Sequence, residues 1–142
     1  MADVSSEAIF EVPIEKVYQV ITDYRSYPEF VDGASGVKII SESENGAVVE
    51  YNLNLIKKFT YRLQMVHQKP HKVSWTFQSG DLFAKNNGHW ELTDLGNGRT
   101  QAKYRLEIDF KIMVPKMILN GLVNKNLPAM MEQYHKRMKK NL

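Results

Sequence analysis

Between residues 51 and 110 apolar and polar side chains alternate in run after run, and after residue 115 the alternation stops. Tyr51 and Leu53 alternate with Asn52 and Asn54; Phe59, Tyr61, Leu63 and Met65 with Thr60, Arg62 and Gln64; Val73, Trp75 and Phe77 with Ser74 and Thr76. Trp90 and Leu92 flank Glu91, and Tyr104, Leu106, Ile108 and Phe110 are separated by Arg105, Glu107 and Asp109. A period of two places one set of side chains on each face of a strand, so these are half-buried strands with one wet face. Asn45-Gly46, Lys69-Pro70-His71 and Gly96-Asn97-Gly98 supply turns between them. Connections this short join antiparallel neighbours, which predicts a meander.

Both ends of the chain are helical in period. After a first strand in "VSSEAIFEV", Pro13 opens an element in which Ile14, Val17, Tyr18 and Ile21 share one helix face. A short helix or turn follows in "DYRSYPEFVDG", before Gly33 and Gly36. Beyond Pro115, Leu119, Leu122, Val123, Leu127, Met130, Met131, Tyr134 and Met138 return to helical spacing. Pro128 lacks a donor and crowds the carbonyl four residues back, so a kink or break is expected near residues 124–127. The expected fold is α+β in one domain spanning residues 1–142: about seven antiparallel strands, two short helices after the first, and a long C-terminal helix covering the apolar face.

Such an arrangement leaves room inside. A helix with its side chains is about 10–12 Å across, whereas seven strands spaced about 4.8 Å apart make a sheet about 30 Å wide. The inward positions hold large side chains, among them Trp75, Trp90, Phe59, Phe77, Phe110 and Tyr51, Tyr61 and Tyr104. They can fill the gap as plain core or line a pocket with tyrosine hydroxyls as its polar points. Met113, Met117, Met130, Met131 and Met138 admit the same two readings, core filler or adaptable lining.

Three segments carry a resemblance: "VPIEKVYQVITDYRSYPEFVDGASGVKII", "SGDLFAKNNGHWEL" and "GRTQAKYRLEIDFKI". With them the chain resembles the polyketide cyclase/dehydrase branch of the START-like superfamily, nearest the coenzyme Q-binding and ribosome-association toxin subgroup. The resemblance implies a helix-grip fold, a curved antiparallel sheet wrapped around the C-terminal helix and usually enclosing a hydrophobic cavity. It implies binding, transport or chaperoning of a hydrophobic small molecule such as a polyprenyl quinone, a lipid or a polyketide-like aromatic. The alternatives are an aromatic polyketide cyclase/dehydrase-type enzyme, or a ribosome- or membrane-surface protein. On that reading Tyr27, Phe30, Leu53, Tyr61, Phe77, Trp90, Tyr104, Leu122, Met130 and Tyr134 line the ligand site. Tyr27-Pro28-Glu29-Phe30 would be a lid at its mouth, with Gly33 and Gly36 as hinge.

The chemistry-bearing residues argue more for binding than for catalysis. The chain has no cysteine, so no disulfide, thiolate metal site or cysteine nucleophile is expected. It has no Gly-x-Ser-x-Gly elbow and no phosphate loop. His67 and His71 straddle a turn, His89 falls on the wet face and His135 lies in a basic helix end, so each reads as structural. Asp23 and Glu29 are the carboxylates nearest the expected mouth, with Asp23 also suited to a helix end. No catalytic residue, metal or cofactor is assigned. A net charge of +3 is too small to argue for nucleic acid, and no DNA partner is expected. Lys136, Arg137, Lys139 and Lys140 read first as a solvated helix end and second as a weak contact for anionic membrane or ribosomal RNA. The N-terminal run lacks the basic start and apolar stretch of a secretion signal, and a cytoplasmic location is expected.

Overall fold

The computed structural model describes residues 2–31, 34–54 and 57–140, without the side chains at 2, 122 and 123. Seven antiparallel strands form one sheet: β1 (Ala2–Phe10), β2 (Ala34–Ser43), β3 (Gly46–Asn54), β4 (Lys58–Gln68), β5 (Lys72–Gly80), β6 (Phe83–Gly96) and β7 (Arg99–Phe110). Their order is β1-β7-β6-β5-β4-β3-β2, so the chain meanders from β2 to β7 and β1 closes the far edge against β7. Helix α1 (Ile14–Thr22) and a 3₁₀ helix (Tyr24–Glu29) lie between β1 and β2. The C-terminal segment comprises α2 (Lys116–Gly121), a π turn (Leu122–Asn126) and α3 (Leu127–Lys139).

Period two is obeyed along the strands. Val49 and Tyr51 on β3, Phe59, Leu63 and Met65 on β4, Val73 and Trp75 on β5, and Trp90 and Leu92 on β6 are buried. The intervening wet face carries cross-strand ion pairs, including Arg62 with Glu50 at 3.1 Å and Lys85 with Glu107 at 2.7 Å. Register shifts at Ile39/Ser41, Arg62/Leu63, Phe83/Lys85 and Asp94/Gly96 insert bulges, which bend strands and curl a sheet.

The β5–β6 ladder is short, running only from Lys72↔Glu91 to Trp75↔Gly88. There the Asn87 side chain replaces the next rung, accepting the Phe77 N–H at 3.2 Å. Gly88 is what lets Trp75 lie down at this point: a Cβ would meet the indole at 2.5 Å and also strike the Arg105 carbonyl. The sheet splays beyond it, and a second apolar cluster of Phe59, Leu82, Phe83 and Ile108 fills the opening.

Pro13 caps α1 through its carbonyl, which accepts the Lys16 and Val17 N–H groups at 3.0 and 3.1 Å. Ile14, Val17, Tyr18 and Ile21 are buried as one face. The break expected before Pro128 is present as the π turn, whose wider ring ends two residues before the proline and lets it enter the first turn of α3. Met131, Tyr134 and Met138 then form its buried face, Tyr134 edge-on to Trp90 of β6 at 5.3 Å.

Candidate functional site

Sheet and helix do not close on each other. Between them lies a cavity of about 310 Å³. Its sheet wall includes Leu53, Tyr61, Leu63, Met65, Trp75, Trp90, Tyr104 and Leu106, its helix wall Leu127, Ala129, Met130 and Tyr134, and Tyr27 and Val31 close one end. Asn54 and Asn126 line it and are solvent-exposed, which puts the mouth between the end of β3 and the π turn. Among the described residues, none in the wall carries a formal charge.

The polar atoms are few and mostly committed. The Trp75 Nε1–H donates to Asn86 Oδ1 at 3.1 Å, and Tyr51 reaches only the Met65 sulfur, at 3.9 Å. Tyr27 donates its hydroxyl to the Ile21 carbonyl in a short contact. The hydroxyls of Tyr61 and Tyr104 have no hydrogen-bond partner among the described residues, yet neither is sealed in protein, so both face open cavity. Burial, and then the neighbouring tyrosines, raise the pKa of Tyr27, Tyr51, Tyr61 and Tyr104, and burial raises that of Tyr134. All remain protonated near neutral pH. Tyr61 and Tyr104 therefore offer neutral donors to an oxygen acceptor in an otherwise apolar space.

Of the residues expected to line a ligand site, Tyr27, Leu53, Tyr61, Trp90, Tyr104, Met130 and Tyr134 stand in the cavity wall. Phe30 and Phe77 do not. Phe77 has the inward parity, but beyond the truncated β5–β6 ladder it packs edge-on against Phe83, centroids 6.3 Å apart. Phe30 lies behind the wall, edge-on to Tyr27 and Tyr134 at 5.7 and 5.4 Å, with the Arg137 guanidinium 5.3 Å above its ring. The side chain of Leu122 lies outside the described residues. Sequence reasoning missed Trp75, Leu63 and Met65 as lining, although they share the parity of Tyr61 and Phe59. It also missed Asn86, whose signal was a polar residue in phase with Trp90.

The stretch expected to be a lid is an anchored end wall. Tyr24 shares a 2.7 Å hydrogen bond with His67 Nε2, and Glu29 pairs with Arg137 at 3.2 Å. Gly36 is held in β2 opposite Asn52, where a Cβ would meet the Asn52 side chain at 2.7 Å; Gly33 lies outside the described residues. Asp23 accepts a hydrogen bond from Ser26 at 2.7 Å, away from the cavity.

The histidines have structural partners. Burial lowers the pKa of His67, a trend the Glu42 charge opposes. His135 Nε2 accepts the Glu11 N–H at 3.2 Å, and burial, then Lys139, lower its pKa. His89 lies 3.4 Å from Glu91 on the wet face. Among the described residues no three His, Asp or Glu side chains converge as a metal site would require, and no helix is long and apolar enough to cross a membrane.

A family model described as polyketide cyclase / dehydrase and lipid transport matches residues 10–134. The chain is 27% identical over 136 residues to the ribosome association toxin RatA of Escherichia coli K12, covering 94% of this chain and 84% of that protein. Among solved structures it is similar to the Zhui aromatase/cyclase from Streptomyces sp. R1128, with a TM-score of 0.85, 14% identity and coverage of 98% and 94% of the two chains. A START superfamily protein from Mycobacterium smegmatis matches with a TM-score of 0.83 and 16% identity, covering 97% of each chain. At these identities the structures establish the helix-grip fold alone.

Proposed function

The chain belongs to the polyketide cyclase / dehydrase and lipid transport family, and from that premise we propose that it binds and carries a neutral, largely apolar small molecule inside its cavity. Family and fold fit either hydrophobic-ligand binding or cyclase-like chemistry. The observation that favours binding is the wall itself: its described residues are uncharged, and the hydroxyls of Tyr61 and Tyr104 are available donors within it. Acid–base chemistry on a poly-ketone asks for a group that exchanges protons near neutral pH. The cavity tyrosines are pushed away from that range, and His67 stands outside the wall, held by Tyr24.

The same wall narrows the ligand class. A carboxylate or phosphate buried here would lose its water and gain no cation, an expensive exchange. A carbonyl or ether oxygen needs only a donor. A polyprenyl quinone or a neutral polycyclic ketone fits these terms better than a free fatty acid, whose head group would have to stay at the mouth beside Asn54 and Asn126.

Trp75 and Trp90 both line the cavity, so decylubiquinone should quench intrinsic fluorescence saturably, palmitate should compete poorly, and Trp90→Phe should diminish the response. Native mass spectrometry of freshly purified protein would report a resident ligand. No quenching by any member of a panel of quinones, neutral lipids and polycyclic ketones, together with a ligand-free mass, would refute the proposal.

The name of the Escherichia coli relative favours a second reading, contact with a ribosome. Of the four basic residues expected to make it, Arg137 is occupied by Glu29 and Phe30, and Lys139 stands 3.9 Å from Glu11. Lys136 and Lys140 would have to carry such a contact. Co-sedimentation with ribosomal subunits, and its loss in Lys136→Glu/Lys140→Glu, tests it.

A further inference from the structure

The five C-terminal methionines divide three ways. Met131 and Met138 are buried and Met130 lines the cavity, whereas Met113 and Met117 are 94% and 83% exposed. The other large apolar side chains on the described surface are far less exposed; Ile9, the next, is 52% exposed. The two methionines are four positions apart in sequence, so their backbones are at most about 14 Å apart. They flank Pro115, whose carbonyl starts α2 by accepting the Ile118 and Leu119 N–H groups. Helix α2 buries none of its residues.

The charges around this face are mostly basic. From Phe110 to Met131 the chain has Lys111, Lys116 and Lys125 and no Asp or Glu. The β3–β4 hairpin adds Lys57 and Lys58. Lys57 lies 5.4 Å over the ring of Phe59, and Phe59 belongs to the cluster that Ile112 packs against, so the hairpin and residues 111–117 share one end of the molecule. The nearest acids are Asp109, two residues before Lys111 and in register with Lys85, and Asp81, beside the Gly80 carbonyl that anchors Lys111. The same end holds the cavity mouth: Leu119, two residues beyond Met117, is in the wall, and Asn126 marks the rim.

We propose that this end is a docking face for an anionic lipid bilayer, with Met113 and Met117 entering the head-group boundary and the lysines engaging anionic head groups. Unbranched apolar side chains projecting from a basic surface suit an interface that is apolar within and negative at its skin. A bilayer also gives the position of the mouth a purpose, since a ligand leaving past Leu119 and Asn126 would pass directly into lipid. The proposal goes beyond cavity binding and uses different residues from the C-terminal cluster Lys136–Lys140.

Full-length protein is sedimented with phosphatidylcholine vesicles and with vesicles of phosphatidylcholine mixed with phosphatidylglycerol. Binding is expected only to the anionic vesicles and should weaken as salt is added. Met113→Asp/Met117→Asp and Lys116→Glu should each lower the bound-to-free ratio about tenfold or more. Because these side chains are exposed, the melting temperature and decylubiquinone quenching should stay as in the wild type. Equal binding to both vesicle types, or full binding by the methionine variant, overturns the membrane face while leaving the cavity reading standing. A concentration-dependent dimer in sedimentation velocity that Met117→Asp dissolves would also overturn it, assigning the patch to a second copy of the chain.

Discussion

Replacing Phe30 with alanine tests whether the aromatic end wall holds the cavity closed. Complete truncation of a buried phenylalanine costs about 3–5 kcal/mol. Phe30 is only partly buried, so about half of that applies. Its ring also makes edge-to-face pairs with Tyr27 and Tyr134, interplanar angles 74° and 75°, and lies under Arg137. An aromatic pair adds about 0.5–1.5 kcal/mol and an exposed cation–π contact about 0.5–1 kcal/mol. Part of each survives as contact with the remaining wall, and we expect a loss of about 2–3 kcal/mol. At roughly 4 °C per kcal/mol for a domain of this size, the melting temperature should fall by about 8–12 °C. Tyr27 and Tyr134 both line the cavity and would lose their shared support, so decylubiquinone should also leave faster in a stopped-flow displacement experiment. Phe30→Leu should recover most of the stability and less of the slow release. A loss below about 1 kcal/mol would mean the ring contacts contribute nothing. A loss above about 4 kcal/mol with unchanged release would make Phe30 a plain cap with no part in retention.

Gly88→Ala must push the Trp75 indole or the Arg105 strand aside and should cost about 1–3 kcal/mol by urea titration, with a shift in tryptophan emission. Thr100 is fully buried and donates to the Val12 carbonyl at 2.9 Å, so Thr100→Val should cost about 1–3 kcal/mol by orphaning that acceptor. His67 and His135 both have folded pKa values below the usual 6.5. The unfolded chain therefore binds more protons in that window, and stability, complete above pH 6.5, should decline as pH falls from 6.5 toward the depressed folded values. A melting temperature flat from pH 7.5 to 5 in the double variant His67→Gln/His135→Gln, against a sloping wild type, is the expected pattern; equal slopes would refute the assignment.

The alternation from Tyr51 to Phe110 was enough to read the sheet, because one wet face forces every strand into the same phase. Pro128 announced a break by its missing donor, though a π turn is only one of several ways to resolve the clash. The site was legible where parity alone decides position, as for Tyr61, Trp90 and Tyr104. It was not legible where pairing stops. Phe77 leaves the cavity because Asn87 ends a ladder, an event with no period to betray it. Phe30 sits behind the wall because Tyr27 occupies the wall itself, and two aromatics three residues apart do not reveal which is in front.

The π turn also sets a phase. It counts as one residue more than an uninterrupted α-helix would need, and each residue advances a helix by about 100°. Delete any one of residues 122–126, and the chain could continue as regular helix in which Pro128 would clash with the carbonyl four residues back. The faces of α3 would keep their phase, because the wider turn already absorbs the residue removed, and Met131, Tyr134 and Met138 would stay on the buried side. A one-residue deletion after Pro128, where no wide turn stands to absorb it, would instead rotate every later side chain by about a quarter turn. The π turn is thus the place in the C-terminal segment where the chain can change length by one residue without turning the helix.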